Sequence, residues 1–206
     1  MSQLVLDDLH SLAPGSPAQA CFHLNFELTG PACLGLTGPS GSGKSLLLRA
    51  IADLDPSGGT ASLDGIDRNS IVAHQWRTRV GYLSADSAWW SDQVGDHFIG
   101  LQPYGFEKLG FNDSVLNWSV ARLSSGERQR LALSRLLSRS PEVMLLDEPT
   151  ASLDPDRTIA VETIIADYAR AHNAPIIWVS HDKDQLQRVA HHRLLLDGNG
   201  HIEALS

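Results

Sequence analysis

Two cysteines, Cys21 and Cys33, are all that 206 residues contain. That is too few for a disulfide framework or a cysteine-based zinc site, so a reducing compartment is expected and both read as core thiols. Long apolar runs are also lacking. The longest, such as Val143 to Leu146 and Ile176 to Val179, fall far short of the roughly 18 to 20 residues that cross a bilayer. No basic stretch followed by an apolar core opens the chain, which predicts no secretory leader and a cytoplasmic setting. Basic residues are outnumbered, 16 Lys plus Arg against 24 Asp plus Glu. The resulting charge of −8 argues against general nucleic-acid binding, and no basic amphipathic segment argues for inserting into lipid. Internal repeats, low-complexity tracts and linkers are missing too, so any insert should pack on the main body rather than swing from it.

What is present reads as an α/β protein. Ala20 to Leu28 and Ala32 to Leu36 suit two strands joined by a tight turn at Gly30-Pro31, and the second strand runs straight into glycines. A helix opens at about Gly43, because Ser45 to Ile51 holds good helix formers and no breaker. Val143 to Leu146 and Ile176 to Val179 have the continuous apolar character of strands buried on both faces of a parallel sheet. Between them Asp154 suits an N-cap with Pro155 at the first helical position, and Ile159, Val161, Ile164, Ile165 and Tyr168 follow at near-helical spacing. Ser87 to Arg122 carries Trp89, Trp90 and Trp118 with scattered Gly and Pro and no strand pattern, and is expected to be a small helical insert.

The first chemical signal is Gly38-Pro39-Ser40-Gly41-Ser42-Gly43-Lys44-Ser45, which fits G-x-x-x-x-G-K-[ST] without mismatch between a strand and a helix. Glycines allow successive amides to point inward around a phosphate, and the helix start adds its positive dipole end. Lys44 supplies a mobile charge for the β- and γ-phosphates, and the Ser45 hydroxyl a ligand for Mg²⁺. The plain alternative is a flexible glycine turn. A second signal is Asp147-Glu148 at the C-terminal end of an apolar strand, where ligands of open α/β sheets collect. Asp147 is placed to hold Mg²⁺ directly or through water, and Glu148 to polarise the water that attacks the γ-phosphorus. Taken alone, such acids simply end a strand. A third is Leu123-Ser124-Ser125-Gly126-Glu127, where Ser124 and Glu127 make a capping box before a helix whose Leu133, Leu136 and Leu137 share a face.

Together these segments resemble the ATP-binding cassette (ABC) ATPases, and the resemblance covers nearly the whole chain. Residues 123 to 127 resemble that family's signature motif LSGGQ, Asp147-Glu148 its Walker B acids, Ser152-Leu153-Asp154 its D-loop, and His181 its switch histidine. The resemblance implies one domain over residues 1–206, with a P-loop core from 1–85 and 140–206, an antiparallel β subdomain at the N-terminus, and a helical subdomain at about 86–139. It implies ATP and Mg²⁺ as cofactors, with Leu46 joining the nucleotide loop. It also implies a head-to-tail homodimer in which Ser124, Ser125, Gly126 and Glu127 close over the ATP of the opposite subunit and Asp154 bridges the halves. Glu148, His181 and Lys44 are then the catalytic set. His191-His192 keeps an ordinary surface reading.

Three departures from the family pattern stand out. Ala85 occupies the place of the Q-loop glutamine, where Asp86 or a water is the candidate substitute and Gln93 lies too far along the chain. Ser125 replaces the first signature glycine, and Leu46 a common Ser or Thr. The aromatic that usually stacks on adenine falls near Leu12 or Ala13, neither of which has a π-face. The 77 residues between Ser45 and Leu123 hold no heptad array, unlike chromosome-organising relatives, and only one cassette fits, unlike translation-associated ones. The resemblance therefore implies an ATPase subunit that sits on the inner face of a membrane by docking on a separate permease, with Trp89 and Trp90 either at that contact or in the core. Val80 to Phe98 and His181 to Gln185 are most similar to Fet-type iron-export subunits, with haem- or lipoprotein-type exporters next. The alternative is an ATP-binding regulatory module that hydrolyses weakly because of Ala85.

Overall fold

A computed structural model describes residues 2–11 and 22–205. Two sheets carry the fold. The first is antiparallel, in the order β2-β1-β4-β5, from β1 (Gln3–Ser11), β2 (Leu24–Thr29), β4 (Ser57–Leu63) and β5 (Ile66–Asp67). The second has the order β10-β9-β3-β8-β7-β6, from β3 (Cys33–Thr37), β6 (Val80–Leu83), β7 (Val143–Asp147), β8 (Ile176–Val179), β9 (His192–Leu196) and β10 (Ile202–Leu205). Its strands are parallel except β10, which runs antiparallel to β9. The mixed α/β class and the N-terminal antiparallel sheet are as expected.

The apolar runs explain the layering. In β7, Met144 and Leu146 join one core, while Val143 and Leu145 join the other. In β8, Ile176 and Trp178 divide from Ile177 and Val179 in the same way. Successive side chains of a strand point to opposite faces, so an unbroken apolar run is what a doubly covered strand requires. One face is covered by the first sheet with α1 (Lys44–Ile51) and α2 (Ala73–Arg79), from which Trp76 is fully buried. The other face is covered by α3 (Ser125–Leu137), α4 (Pro155–His172), α5 (Lys183–Val189) and the segment before α3.

Three expectations need adjustment. The Gly30-Pro31 turn forms, closed by Ala32 N donating to Thr29 O at 3.0 Å, but β2 and β3 enter different sheets instead of pairing. Strand β2 begins at Leu24, and Ala20 and Cys21 lie outside the described residues. Between Ser87 and Arg122 the helical content is limited to 3-10 turns at Gly95–Phe98, Asp113–Asn117 and Val120–Arg122. Gly95, Gly100, Gly105 and Gly110 with Pro103 interrupt that stretch too often for a longer helix to propagate. In α4, Val161, Ile164, Ile165 and Tyr168 are buried as their spacing predicts, but Ile159 is 51% exposed. Among the described residues, no helix is long and apolar enough to cross a membrane.

Candidate functional site

Strands β3, β8 and β7 are adjacent and parallel, so their C-terminal ends open at one edge. Each end carries a segment singled out in the sequence. The loop from Gly38 follows β3, Asp147-Glu148 ends β7, and Ser180-His181 follows β8. Backbone bonds stitch these exits together: Glu148 N donates to Val179 O at 3.1 Å and Ser180 N to Leu36 O at 3.2 Å. A cleft of about 410 Å³ results, lined by Ser40, Gly41, Gly43, Lys44, Ser45 and Leu46 on one side, with Ala85, Asp147, Glu148, Val179 and His181 completing it.

The loop's glycines are required by its backbone. Gly41 and Gly43 have φ of 80° and 98°, which an L side chain rarely adopts. Gly43 caps α1 without any side-chain bond, and the first helical donor to find a carbonyl is Leu47 N, bonded to Gly43 O at 2.9 Å. The amides of Lys44, Ser45 and Leu46 therefore stay open at the positive end of the helix, an arrangement suited to an anion. Lys44 folds back into its own loop, its Nζ donating to Gly38 O at 2.9 Å and Pro39 O at 2.8 Å. Desolvation lowers its pKa, opposed by the nearby carboxylates of Glu148 and Asp147. Pro39 is exposed and Ser42 buried, with Ser42 Oγ 3.5 Å from Lys44 Nζ.

Opposite the loop, Asp147 is buried and its side chain accepts one hydrogen bond, from the Tyr82 hydroxyl at 3.2 Å. Burial raises the Tyr82 phenol, with Asp147 adding to the effect. Glu148 has φ of 48°, and its Oε1 is buried without a hydrogen-bond partner. His181 is exposed and brings Nε2 to 3.5 Å from that oxygen. Burial raises the Glu148 carboxyl above the usual glutamate range, although His181 and Lys44 pull the other way. A buried, under-bonded carboxylate near the single ammonium of Lys44 is the electrostatic setting expected for a group poised to handle a proton. The donor set also fits Mg²⁺. The Ser45 hydroxyl and the sparsely bonded Asp147 carboxylate are hard oxygen ligands on the same cleft.

Ser124, Ser125, Gly126, Glu127 and Asp154 do not line this cleft. The capping box at Ser124 is complete, with Glu127 N donating to Ser124 Oγ at 3.2 Å and Ser124 N to Glu127 Oε2 at 2.9 Å. The bond from the Ser124 backbone is the main reason that the Glu127 carboxyl is held low. Ser124 and Ser125 are exposed, and Gly126 is buried so closely that a Cβ would lie 2.9 Å from Ser152 O. Asp154 caps α4 by accepting from Arg157 N at 2.9 Å. His191 Nδ1 accepts from Cys33 N at 3.0 Å, which gives it a structural task.

Several contributors were not legible in the sequence. Tyr82 reaches Asp147 only because β6 pairs with β7. Buried Gln185 donates to Thr150 Oγ1 and Glu162 Oε1, both at 2.9 Å, and Arg188 also donates to Glu162, which braces the segment after Glu148 against α4 and α5. Gln129 Nε2 donates to Ser84 O at 3.2 Å, tying α3 to the strand exit before Ala85. Ala85 itself is exposed on the cleft and offers no polar side-chain atom. Leu12 and Ala13 lie outside the described residues.

Comparisons with known proteins bear on the family and the fold. A family model described as ABC transporter matches residues 21–151. The probable iron export ATP-binding protein FetA of Escherichia coli (strain K12) is 36% identical over 177 residues, covering 80% of this chain and 79% of that protein. Protein STAR1 of Oryza sativa subsp. japonica is 37% identical over 186 residues, with 84% of this chain and 54% of STAR1 covered. The molybdenum import ATP-binding protein ModC of Paramagnetospirillum magneticum is 34% identical over 211 residues, with coverage of 91% and 58%. In fold, the chain superposes on the ATP-binding cassette MJ0796 with a TM-score of 0.80 at 19% identity, covering 98% and 99% of the two chains. It superposes on a bacterial Atm1-family ABC exporter with a TM-score of 0.77 at 22% identity, covering 96% of this chain and 38% of that one. The chain belongs to the ABC transporter family and is one of its ATP-binding ATPase domains.

Proposed function

We propose that this domain powers a separate permease by closing head to tail with a second copy over two ATP molecules and reopening after hydrolysis. The observation that carries the reading is the meeting of Lys44, Ser45, Asp147, Glu148 and His181 in one cleft, with Glu148 Oε1 buried and unbonded. In the reaction, Lys44 leaves the carbonyls of Gly38 and Pro39 for the β- and γ-phosphates, which offer a charge-assisted bond in their place. The open amides of Lys44, Ser45 and Leu46 take the remaining phosphate oxygens. Ser45 and Asp147 would hold Mg²⁺, which would supply charge neutralisation at the phosphates. Glu148 accepts a proton from the attacking water and orients it in line, and His181 stabilises charge that builds on the γ-phosphate. Because Ser124 to Glu127 and Asp154 do not line this cleft, the second copy supplies them in this reading, and half of each site belongs to each chain.

Iron is the cargo this reading favours, on the likeness to FetA, and attachment to the inner membrane face follows from docking on the permease. Purified protein with MgATP should turn over, and the Glu148→Gln variant should bind ATP, stop hydrolysing and accumulate as dimers in size-exclusion chromatography. Absence of hydrolysis above the Glu148→Gln level in the wild type would remove the engine reading. Ala85 favours a second reading, a regulatory ATP-binding module, because that cleft position lacks the oxygen a glutamine would bring. The same turnover measurement separates the two.

A further inference from the structure

We propose that Asp8, His10 and His23 form a binding site for a divalent transition-metal ion of the zinc and cobalt class, distinct from the nucleotide cleft. The site follows from strand register. Leu9 pairs with Leu24 across β1 and β2, and both are buried. The neighbouring positions Asp8, His10, His23 and Asn25 therefore share the opposite, outward face. A bulge between Leu6 and Leu9 sets Asp8 at φ of 48°, where its N donates to Asn25 Oδ1 at 2.8 Å. Its carboxylate then lies beside both imidazoles, 2.8 Å from His23 Nδ1 and 3.7 Å from His10 Nδ1.

One ligand atom from each residue lies within 4.8 Å of the others. Tetrahedral ligands at bonds of about 2.1 Å sit about 3.4 Å apart, so small side-chain rotations close the set around an ion. His10 is seated for this. A Cβ at Gly58 would overlap its Nε2 edge, so the glycine of β4 gives the ring room, while Nδ1 donates to Asp8 O at 2.7 Å, a bond that it exchanges for the ion. The two rings stack at 4.9 Å, keeping both on the same side of the carboxylate. Two imidazoles and one carboxylate select a borderline ion over Mg²⁺, which prefers oxygen ligands, and three protein ligands leave a position for water. None of the three lines the nucleotide cleft.

The test titrates Co²⁺, monitored by its visible absorption, and Zn²⁺, monitored by calorimetry, into tag-free protein without nucleotide. One equivalent should bind, excess Mg²⁺ should fail to displace it, and Zn²⁺ should raise the melting temperature. His10→Ala and His23→Ala should each weaken uptake by at least about tenfold, whereas His181→Ala should leave it unchanged. No uptake by the wild type would overturn the proposal. So would uptake that survives both His10→Ala and His23→Ala, or that is lost only in His181→Ala, which would move the ion to the nucleotide cleft. Because the readout needs neither ATP nor turnover, its failure leaves the ATPase reading untouched, and the reverse also holds.

Discussion

Glu148 concentrates the tension of the site in one residue. It holds a positive φ without being glycine, it is mostly buried, and its nearest cationic neighbour is a histidine whose charge depends on pH. Removing the charge should therefore improve stability while abolishing chemistry. Burial raises the folded-state pKa above 4.5, so as pH rises the unfolded chain ionises first and stability is lost up to the folded-state value. Below 4.5 the carboxyl is protonated in both states and the penalty disappears. Glu148→Gln should accordingly melt higher than wild type at neutral pH, with the difference shrinking as pH falls toward 4.5 in a series of thermal melts. Its turnover should drop by roughly 100-fold or more, the scale of a lost general base. A variant that melts lower at neutral pH would mean that attraction from His181 and Lys44 outweighs desolvation. At Lys44 the expectation differs. Lys44→Ala should lose ATP affinity in calorimetry, because among the described residues Lys44 is the cation seated in the loop, donating to Gly38 O and Pro39 O.

At the scale of elements, α3 shows how a local signal serves two ends. Its capping box satisfies early amides within the chain, yet Ser124 and Ser125 remain exposed at the helix start. Ser124→Ala should destabilise the fold by about 1 kcal/mol in urea denaturation, since an N-cap hydroxyl is removed and the amide of Glu127 loses its acceptor. If ATP-driven dimerisation falls by much more than that loss explains, the serine also touches the partner's nucleotide. Legibility varied among elements for physical reasons. Strands β7 and β8 could be read because both faces are buried, and the phosphate loop because its requirements are local. Strand β1 could not, since the Asp7-Asp8 bulge breaks its alternation, and β4, reading SGGTASL, has little strand character of its own and is held by its pairing with β1 and β5. The residues that brace the cleft, Tyr82, Thr150 and Gln185, depend on strand order and helix packing that no spacing rule encodes.

The whole molecule presents two surfaces whose meaning lies outside a single chain. One includes Trp90, 66% exposed, with Trp89 partly buried beside it, and Arg135 set 4.7 Å from each ring. Desolvation pushes that guanidinium down to about 10, as expected where aromatic rings replace water. If this patch receives the permease, Trp89→Ala with Trp90→Ala should lower transport in reconstituted vesicles and leave ATP affinity unchanged. The other is the edge bearing Ser124, Ser125 and Asp154, outside the lining of the chain's own nucleotide cleft yet needed for a closed site in the proposed dimer. Complementation separates the chains. Lys44→Ala spoils one chain's loop and Ser125→Arg the other's exposed signature edge, so each homodimer has two defective sites. A mixed dimer pairs the intact loop of one chain with the intact serine edge of the other, giving one whole site. Random pairing makes half of the dimers mixed, so hydrolysis should recover to about one quarter of wild type on mixing, provided the sites fire independently. Activity no greater than the sum of the separate variants would mean that the loop and the serine edge do not meet across chains, and the head-to-tail assembly would have to be given up.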